Sequence, residues 1–216
     1  MNRLYIKYFK RLLDIGLAFI GLIILIPMWI LIGMLVFIDS GWPILFSQKR
    51  VGTNGKVFNM IKFRTMVRGA DKIKENYRHL NQADGPVFKI KEDPRFTRLG
   101  KLLSHIGLDE IPQFVNIIKG DMSLVGPRPL PVNEENKIES QYRTLRQTVR
   151  PGLLSSWLVN GSHSLSFKQW MEYDLKDVQN ASLVYDLKII FGGLLVVVDI
   201  ANSKLDLIFG SKKQKI

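Results

Sequence analysis

Residues 15–38 form a run without a single charged side chain, and nothing else in the chain restricts its fold so strongly. The run exceeds the roughly 20 apolar residues that a transmembrane helix needs, and that length disfavours a buried core helix of a soluble domain. It is not a cleavable signal peptide, because it is too long and no small-residue cleavage site follows it. Residues 1–14 are basic and amphipathic, with Arg3, Lys7, Lys10 and Arg11 among Leu4, Tyr5, Ile6, Tyr8, Phe9, Leu12 and Leu13. That is the pattern of a helix entering a membrane interface.

Pro27 lies inside the run, where it removes one helical hydrogen bond and clashes with the preceding turn, so a break or kink is expected there. The flanking charges carry more weight. Lys10 and Arg11 precede the run, while Lys49, Arg50, Lys56, Lys62, Arg64 and Arg68 follow it, and the positive-inside preference draws both ends to the cytoplasm. A helix-break-helix hairpin that enters and leaves by one face satisfies both flanks. A simple span satisfies only one of them.

At 216 residues the chain has room for one compact domain plus an appendage. Its net charge of +12 calls for an anionic partner, whether nucleic acid, a phospholipid surface or a phosphorylated substrate. There is no cysteine, which excludes disulfides and thiol chemistry. His79, His105 and His163 lie far apart without metal-ligand spacing and read as structural or surface residues.

Beyond the run, residues 44–48 and 57–66 flank a Gly52-Thr53-Asn54-Gly55 turn, which suits a β-hairpin. Its cations Lys49, Arg50, Lys62 and Arg64 are either solvated or placed to hold anionic headgroups or a lipid phosphate. Residues 68–82 are polar with helical spacing, 83–86 form a loop, 87–91 read as a short strand, and 96–106 as a basic helix. Residues 132–147 and 167–176 read as helices, with Trp170 and Tyr173 packing in the core. Residues 189–198 are too short an apolar run to span and fit an interfacial or core helix. The tail cations Lys212, Lys213 and Lys215 form a solvated or headgroup-binding end.

The chemistry concentrates in residues 107–130. Asp109 and Glu110 precede an apolar pattern at helical spacing (Ile111, Phe114, Val115, Ile117, Ile118) that stops at Gly120. Pro112 suits the first turn of that helix. One reading makes Asp109 an N-cap and Glu110 a first-turn acid favoured by the helix dipole. The other starts from Gly126-Pro127-Arg128-Pro129, where an arginine held between prolines offers a planar donor to phosphate or carboxylate. An Asp, a Glu, a fixed Arg and a Mg²⁺ ion, were one bound, together suggest phosphoryl transfer, a reaction in which an Asp carboxylate can be the nucleophile. Arg95, Arg98 and Lys101 precede the dyad and are either a solvated helix face or, beside Arg128, placed to line a pocket for a nucleotide diphosphate.

Several blocks occur in an order that resembles the bacterial sugar transferase family, the monotopic phosphoglycosyl transferases that start glycan assembly on polyprenyl phosphate. They are Lys10-Arg11-Leu12-Leu13-Asp14, Arg50-Val51-Gly52, Lys62-Phe63-Arg64-Thr65-Met66, Gly85-Pro86-Val87-Phe88-Lys89-Ile90, Leu108-Asp109-Glu110-Ile111-Pro112-Gln113, residues 120–129 and Arg150-Pro151-Gly152. The resemblance covers nearly the whole chain and is to the small form of the family. It implies that Asp109 attacks the β-phosphate of a UDP-sugar, releasing UMP and forming a covalent phosphosugar that polyprenyl (undecaprenyl) phosphate then takes. Asp109 and Glu110 would hold Mg²⁺, with Glu110 also in the acid/base part of the dyad, and Arg128, Lys62, Arg64, Arg95 and Arg150 would bind substrate. Lys10, Arg11 and Pro27 would set the membrane hairpin.

The chain departs from the usual family pattern at Gly107, Leu154-Ser155, Leu158 and Ser162. The expected architecture is α+β: a re-entrant membrane hairpin helix over residues 1–40, then a mainly helical cytoplasmic catalytic domain over 41–216 with a small β-hairpin and interfacial amphipathic helices. The expected location is the bacterial plasma membrane with the site facing the cytoplasm, in exopolysaccharide or capsule synthesis, beside membrane lipids and with further copies or other glycan-assembly enzymes as candidate partners. The alternative is a membrane-anchored binding or scaffold protein for anionic lipid. Nucleic acid is not an expected partner, because it explains neither the apolar run nor the carboxylate pair.

Overall fold

The computed structural model describes residues 5–160 and 166–209. Arg3, Leu4, Ser162, His163 and the tail lysines Lys212, Lys213 and Lys215 lie outside the described residues. A short π-helical turn, Tyr5–Phe9, leads into helix α1, Lys10–Ser40. Among the described residues α1 is the helix long and apolar enough to cross a membrane.

The break expected at Pro27 is absent: α1 runs through the proline as one element of 31 residues. Proline removes a single amide donor, and in a helix this long the flanking turns keep their own bonds, so the lost bond does not end the element. The helix stops instead at Gly41, whose φ of 75° no longer fits and whose N–H donates to Phe37 O at 2.8 Å. Arg64 donates to Ser40 O at 2.6 Å and Gly41 O at 2.5 Å, satisfying carbonyls that α1 leaves without partners.

Helix α1 does not project from the rest of the chain. At its start Lys10 pairs with Asp186, Arg11 donates to Ile117 O and Ile118 O, and Asp14 accepts from Ser123 and from the Leu124 N–H. In its second half Ile32 and Val36 are buried with Phe63, Leu103 and Ile111, with Leu25, Met28 and Trp29 packed alongside. The opposite face leaves Phe19, Ile23, Ile24, Ile30 and Phe37 exposed. One stripe therefore docks on the globular body at both ends, and an apolar stripe faces out.

Strands β1 (Leu45–Val51) and β2 (Val57–Phe63) form the expected hairpin, registered from Leu45↔Phe63 to Val51↔Val57. Asn54 (φ 53°) and Gly55 (φ 75°) supply the left-handed backbone of its turn. Residues 68–82 form turns and a 3₁₀ segment, Lys74–Leu80, rather than the expected α-helix, and no residue of that segment is buried. Helical spacing without an apolar face to bury gives too little stability. Nor is 87–91 a strand. Asn81 Oδ1 accepts from the Lys89 N–H at 2.8 Å and Gln82 donates its N–H to Lys89 O at 2.9 Å, so side chain and loop take the bonds a neighbouring strand would take.

Helix α2 (Arg98–Ile106) is capped by Thr97, which accepts from the Gly100 N–H at 2.9 Å, and it ends at Gly107 in the left-handed region. A 3₁₀ turn, Leu108–Glu110, and helix α3 (Gln113–Lys119) follow. Strand β3 (Ser123–Val125) pairs in parallel with β4 (Gly152–Leu154), and between them lie the short helices α4 (Val132–Glu135) and α5 (Ser140–Arg146). Helix α6 (Ser156–Val159) precedes α7 (Phe167–Gln179) and α8 (Leu183–Phe209), which extends well beyond the expected 189–198. Trp170 packs as expected, its ring 4.8 Å from that of Trp157. The main core gathers Ala18 of α1, Phe58 and Met60 of β2, Ile117, Met122, Leu124 and Ile189 of α8. Helix α8 keeps Val184, Leu187, Phe191 and Leu194 exposed, a second apolar face in addition to that of α1.

Candidate active site

Gly107, with φ 79°, ends α2 and turns the chain into the 3₁₀ segment that carries the two carboxylates. The N-cap position of α3 is Pro112, which has no capping side chain, and no side-chain cap is made at the 3₁₀ turn either. Asp109 is therefore not an N-cap. It is 3% exposed, and its Oδ2 lies 3.5 Å from Nζ of Lys62, which β2 carries across to it. Burial pushes the Asp109 carboxyl above its ordinary range, Lys62 opposes that push, and the neighbouring Glu110 charge adds to it.

Glu110 faces a different environment. Arg128 reaches both of its carboxylate oxygens, Nη1 to Oε2 at 3.3 Å and Nη2 to Oε1 more closely, in the fork geometry that favours arginine over lysine. Burial would raise Glu110, but Arg128, with Lys62 and Arg50, holds it below the ordinary carboxylate range. Glu110 in turn holds the Arg128 guanidinium firmly protonated. Two adjacent carboxyls are thus driven in opposite directions, a pattern suited to dividing roles between them.

Arg50 and Lys89 complete the cationic wall. Burial and the nearby Arg128 charge lower Arg50 to about 10, and the same two causes lower Lys89. Arg50 donates to Pro129 O at 2.9 Å and to Gln48 Oε1 at 2.6 Å, while its buried Nε has no partner among the described residues. In the sequence Arg50 reads as a hairpin cation that is either solvated or placed to hold a headgroup or lipid phosphate, and Lys89 only as part of an ordered block. Lys89 has no other signal as a site residue than its place in one of the blocks that carry the family resemblance.

The other expected substrate-binding residues are engaged elsewhere. Arg64 satisfies the end of α1. Arg95 is buried with Nε and Nη2 on the Asp93 carboxylate at 2.9 and 2.6 Å and Nη1 on Ala70 O at 3.2 Å. Arg150 gives its Nε to Gly120 O at 3.2 Å. His105 sits against the Lys101 carbonyl of its own helix. The structure therefore brings together Asp109, Glu110, Lys62 and Arg128, and sets Arg64 and Arg95 into loop and helix-end supports.

Among the described residues no three His, Asp or Glu side chains gather as a ready-made cation cage. Mg²⁺ does not need one. It commonly takes one or two carboxylates and completes its shell with water and substrate phosphate oxygens. Asp109 has a long contact to Lys62 as its ion pair, so the adjacent carboxylates suit such an ion once a phosphate arrives.

Residues 5–199 match the family model described as bacterial sugar transferase. The galactosyl transferase CpsE of Streptococcus agalactiae is 40% identical over 190 residues, covering 88% of this chain and 42% of CpsE. The exopolysaccharide production protein ExoY of Sinorhizobium fredii is 37% identical over 186 residues, 84% of this chain and 82% of ExoY. The UDP-glucose:undecaprenyl-phosphate glucose-1-phosphate transferase of Escherichia coli is 35% identical over 192 residues, 86% of this chain and 39% of that protein. The chain thus spans most of ExoY and less than half of the two longer relatives. With a match that runs from the first described turn into α8, this chain belongs to the bacterial sugar transferase family.

Proposed function

We propose that the protein transfers a sugar 1-phosphate from a UDP-sugar to undecaprenyl phosphate, with Asp109 as the covalent nucleophile. The observation that carries this reading is the split dyad: a buried Asp109 beside Lys62, and an adjacent Glu110 locked as a carboxylate by Arg128. The names of the relatives support a lipid-carrier acceptor and a glucose or galactose donor.

In the first displacement an Asp109 oxygen attacks the β-phosphorus, the bond from that phosphorus to the bridging oxygen breaks, and UMP departs with that oxygen. In the second, the phosphate oxygen of the lipid attacks the same phosphorus and Asp109 leaves as a carboxylate, giving a lipid diphosphate sugar. A carboxylate is a poor attacker of an anionic diphosphate unless that charge is neutralised. Lys62, Arg128, Arg50 and Lys89 supply this neutralisation from fixed positions. Mg²⁺, held by Asp109 or Glu110 together with the donor phosphates, would add Lewis-acid stabilisation of the same oxygens. Splitting the reaction lets a soluble and a lipid substrate use one site in turn.

The membrane arrangement follows from α1. Both of its ends dock on the body that holds the dyad, so we place the helix in one leaflet of the bacterial plasma membrane, entering and leaving by the cytoplasmic face. The exposed face of α8 lies at the same interface.

The test is UMP release by the detergent-purified protein with Mg²⁺, undecaprenyl phosphate, and UDP-glucose or UDP-galactose, beside Asp109→Asn. Release that requires the lipid and disappears in the variant is the expected result. Equal release by the variant removes Asp109 as nucleophile, and no release by either protein favours a binding role.

A further inference from the structure

The segment that presents Arg128 cannot organise itself. Pro127, Pro129 and Pro131 have no N–H, so the alternating prolines deny it most of the amide donors a turn would use internally. It is held from outside by its carbonyls. Pro127 O accepts from the Gly152 N–H at 2.9 Å, Pro129 O from Arg50 Nη1 at 2.9 Å and Leu130 O from the Val51 N–H at 3.1 Å. The carbonyl of Arg128 itself accepts from Arg146 Nη2 at 2.7 Å.

Arg146 is 5% exposed and sits at the end of α5. Its guanidinium also meets Asp174 of α7 through Nη1, and Glu135 of α4 at 3.4 Å through Nη2. Asp174 is fully buried and Glu135 is 2% exposed. Glu135 is held in turn by Gln147 Nε2 at 3.2 Å, and the backbone carbonyl of Gln147 accepts from the Asn54 N–H of the hairpin turn at 2.8 Å. One buried cation and two buried carboxylates are costly to desolvate, and replacing such a group by apolar side chains is often neutral or stabilising. Stability is therefore a weak reason for three helices to converge on one carbonyl.

We propose that Arg146, fixed by Asp174 and Glu135, is a positioning residue for Arg128, setting the backbone from which its guanidinium meets Glu110 and the donor phosphate. The inference rests on the reading of Arg128 as a phosphate-binding group. It assigns to α4, α5 and α7 a share in the site that none of their side chains takes by contact with the dyad.

The test is a double-mutant cycle on the detergent-purified full chain, using Arg146→Lys, Arg128→Lys and the pair, read as kcat/KM for UMP release with the donor that wild type uses. Arg146→Lys keeps the charge but cannot serve the carbonyl and both carboxylates together, so a loss of about tenfold is expected. Because it acts through Arg128, the pair should be no more than about twofold worse than Arg128→Lys alone. Losses that multiply independently overturn the proposal. If Arg146→Lys does not fold, Glu135→Gln replaces it in the same cycle, with the same two outcomes. Wild type that releases no UMP defeats the enzymatic reading instead. The cycle is then read in the calorimetric Kd for UDP, where coupling supports the positioning role, and independent losses or no binding by wild type defeat it.

Discussion

Asp109 and Glu110 are adjacent in the chain yet oppositely poised, because a 3₁₀ turn sends one toward β2 and the other toward the proline-bracketed Arg128. For Asp109 to attack it must be ionised, and Lys62 is the cation that favours this against burial. Lys62→Met should therefore raise the Asp109 pKa further. The acid limb of the kcat/KM profile for UMP release should move to higher pH, with a plateau about 10²-fold lower, since a fixed charge at the phosphate is lost. A profile that drops without moving would leave Lys62 a role on the substrate alone. Arg128→Lys should weaken Glu110 retention and donor binding together, because an ammonium cannot span both Glu110 oxygens; a raised KM with kcat nearly unchanged would limit Arg128 to ground-state binding. The pair and Arg128 were legible because each sits in a local signal: an acid dyad before a helical pattern, and an arginine between prolines. Arg64 and Arg95 read equally well as phosphate ligands, since a sequence displays charge and not partner. Their partners, the end of α1 and Asp93 with Ala70, appear only once the chain is folded. Arg146 gave no signal for the same reason, its partners lying on α4, on α7 and in the proline-bracketed segment.

The elements that frame the dyad depend on close backbone approaches. Gly100 of α2 lies against Thr65, where an added Cβ would stand 1.9 Å from the Thr65 carbonyl oxygen. Backbone cannot swing aside as a side chain can, so Gly100→Ala should cost at least about 1–3 kcal/mol, read as a lower midpoint of thermal unfolding in detergent. Since α2 runs directly into Gly107 and the dyad, UMP release should fall with it. Gly152→Ala makes the same test at β4, where a Cβ would meet the Gly126 nitrogen at 2.2 Å and disturb the bond from the Gly152 N–H to Pro127 O. At this scale the hairpin, α2, α3 and α7 were legible because each combines periodicity with a turn or cap signal. Residues 68–82 and 87–91 were not. Helical spacing in the first stretch has no apolar face to bury, and the alternation in the second is overridden by the side chains of Asn81 and Gln82.

In the whole molecule, the apolar run constrains the topology through what its ends hold. A helix of 31 residues extends about 46 Å, well over the roughly 30 Å of a bilayer core, so length alone would allow a span. The contacts argue otherwise. Lys10 is buried with Asp186 and Tyr5 donates to the same carboxylate, while the far end is gripped by Arg64. Crossing would require one of these ends to leave the body to which it is bonded. Leaving Asp186 buried without Lys10 would cost about 3–5 kcal/mol. The positive charges that flank the run in sequence had already pointed to one face, and the structure adds a physical tether at each end, although Pro27 does not interrupt the helix. The prediction is specific because the chain has no cysteine of its own. A protein with one cysteine placed ahead of Met1, and another with Lys56→Cys at the exposed hairpin turn, should both react with a membrane-impermeant maleimide in sealed inverted vesicles, and neither should react in intact spheroplasts. Labelling of the two from opposite sides would mean that α1 crosses the bilayer, and the tethers at Lys10 and Ser40 could not both exist in the membrane-bound protein.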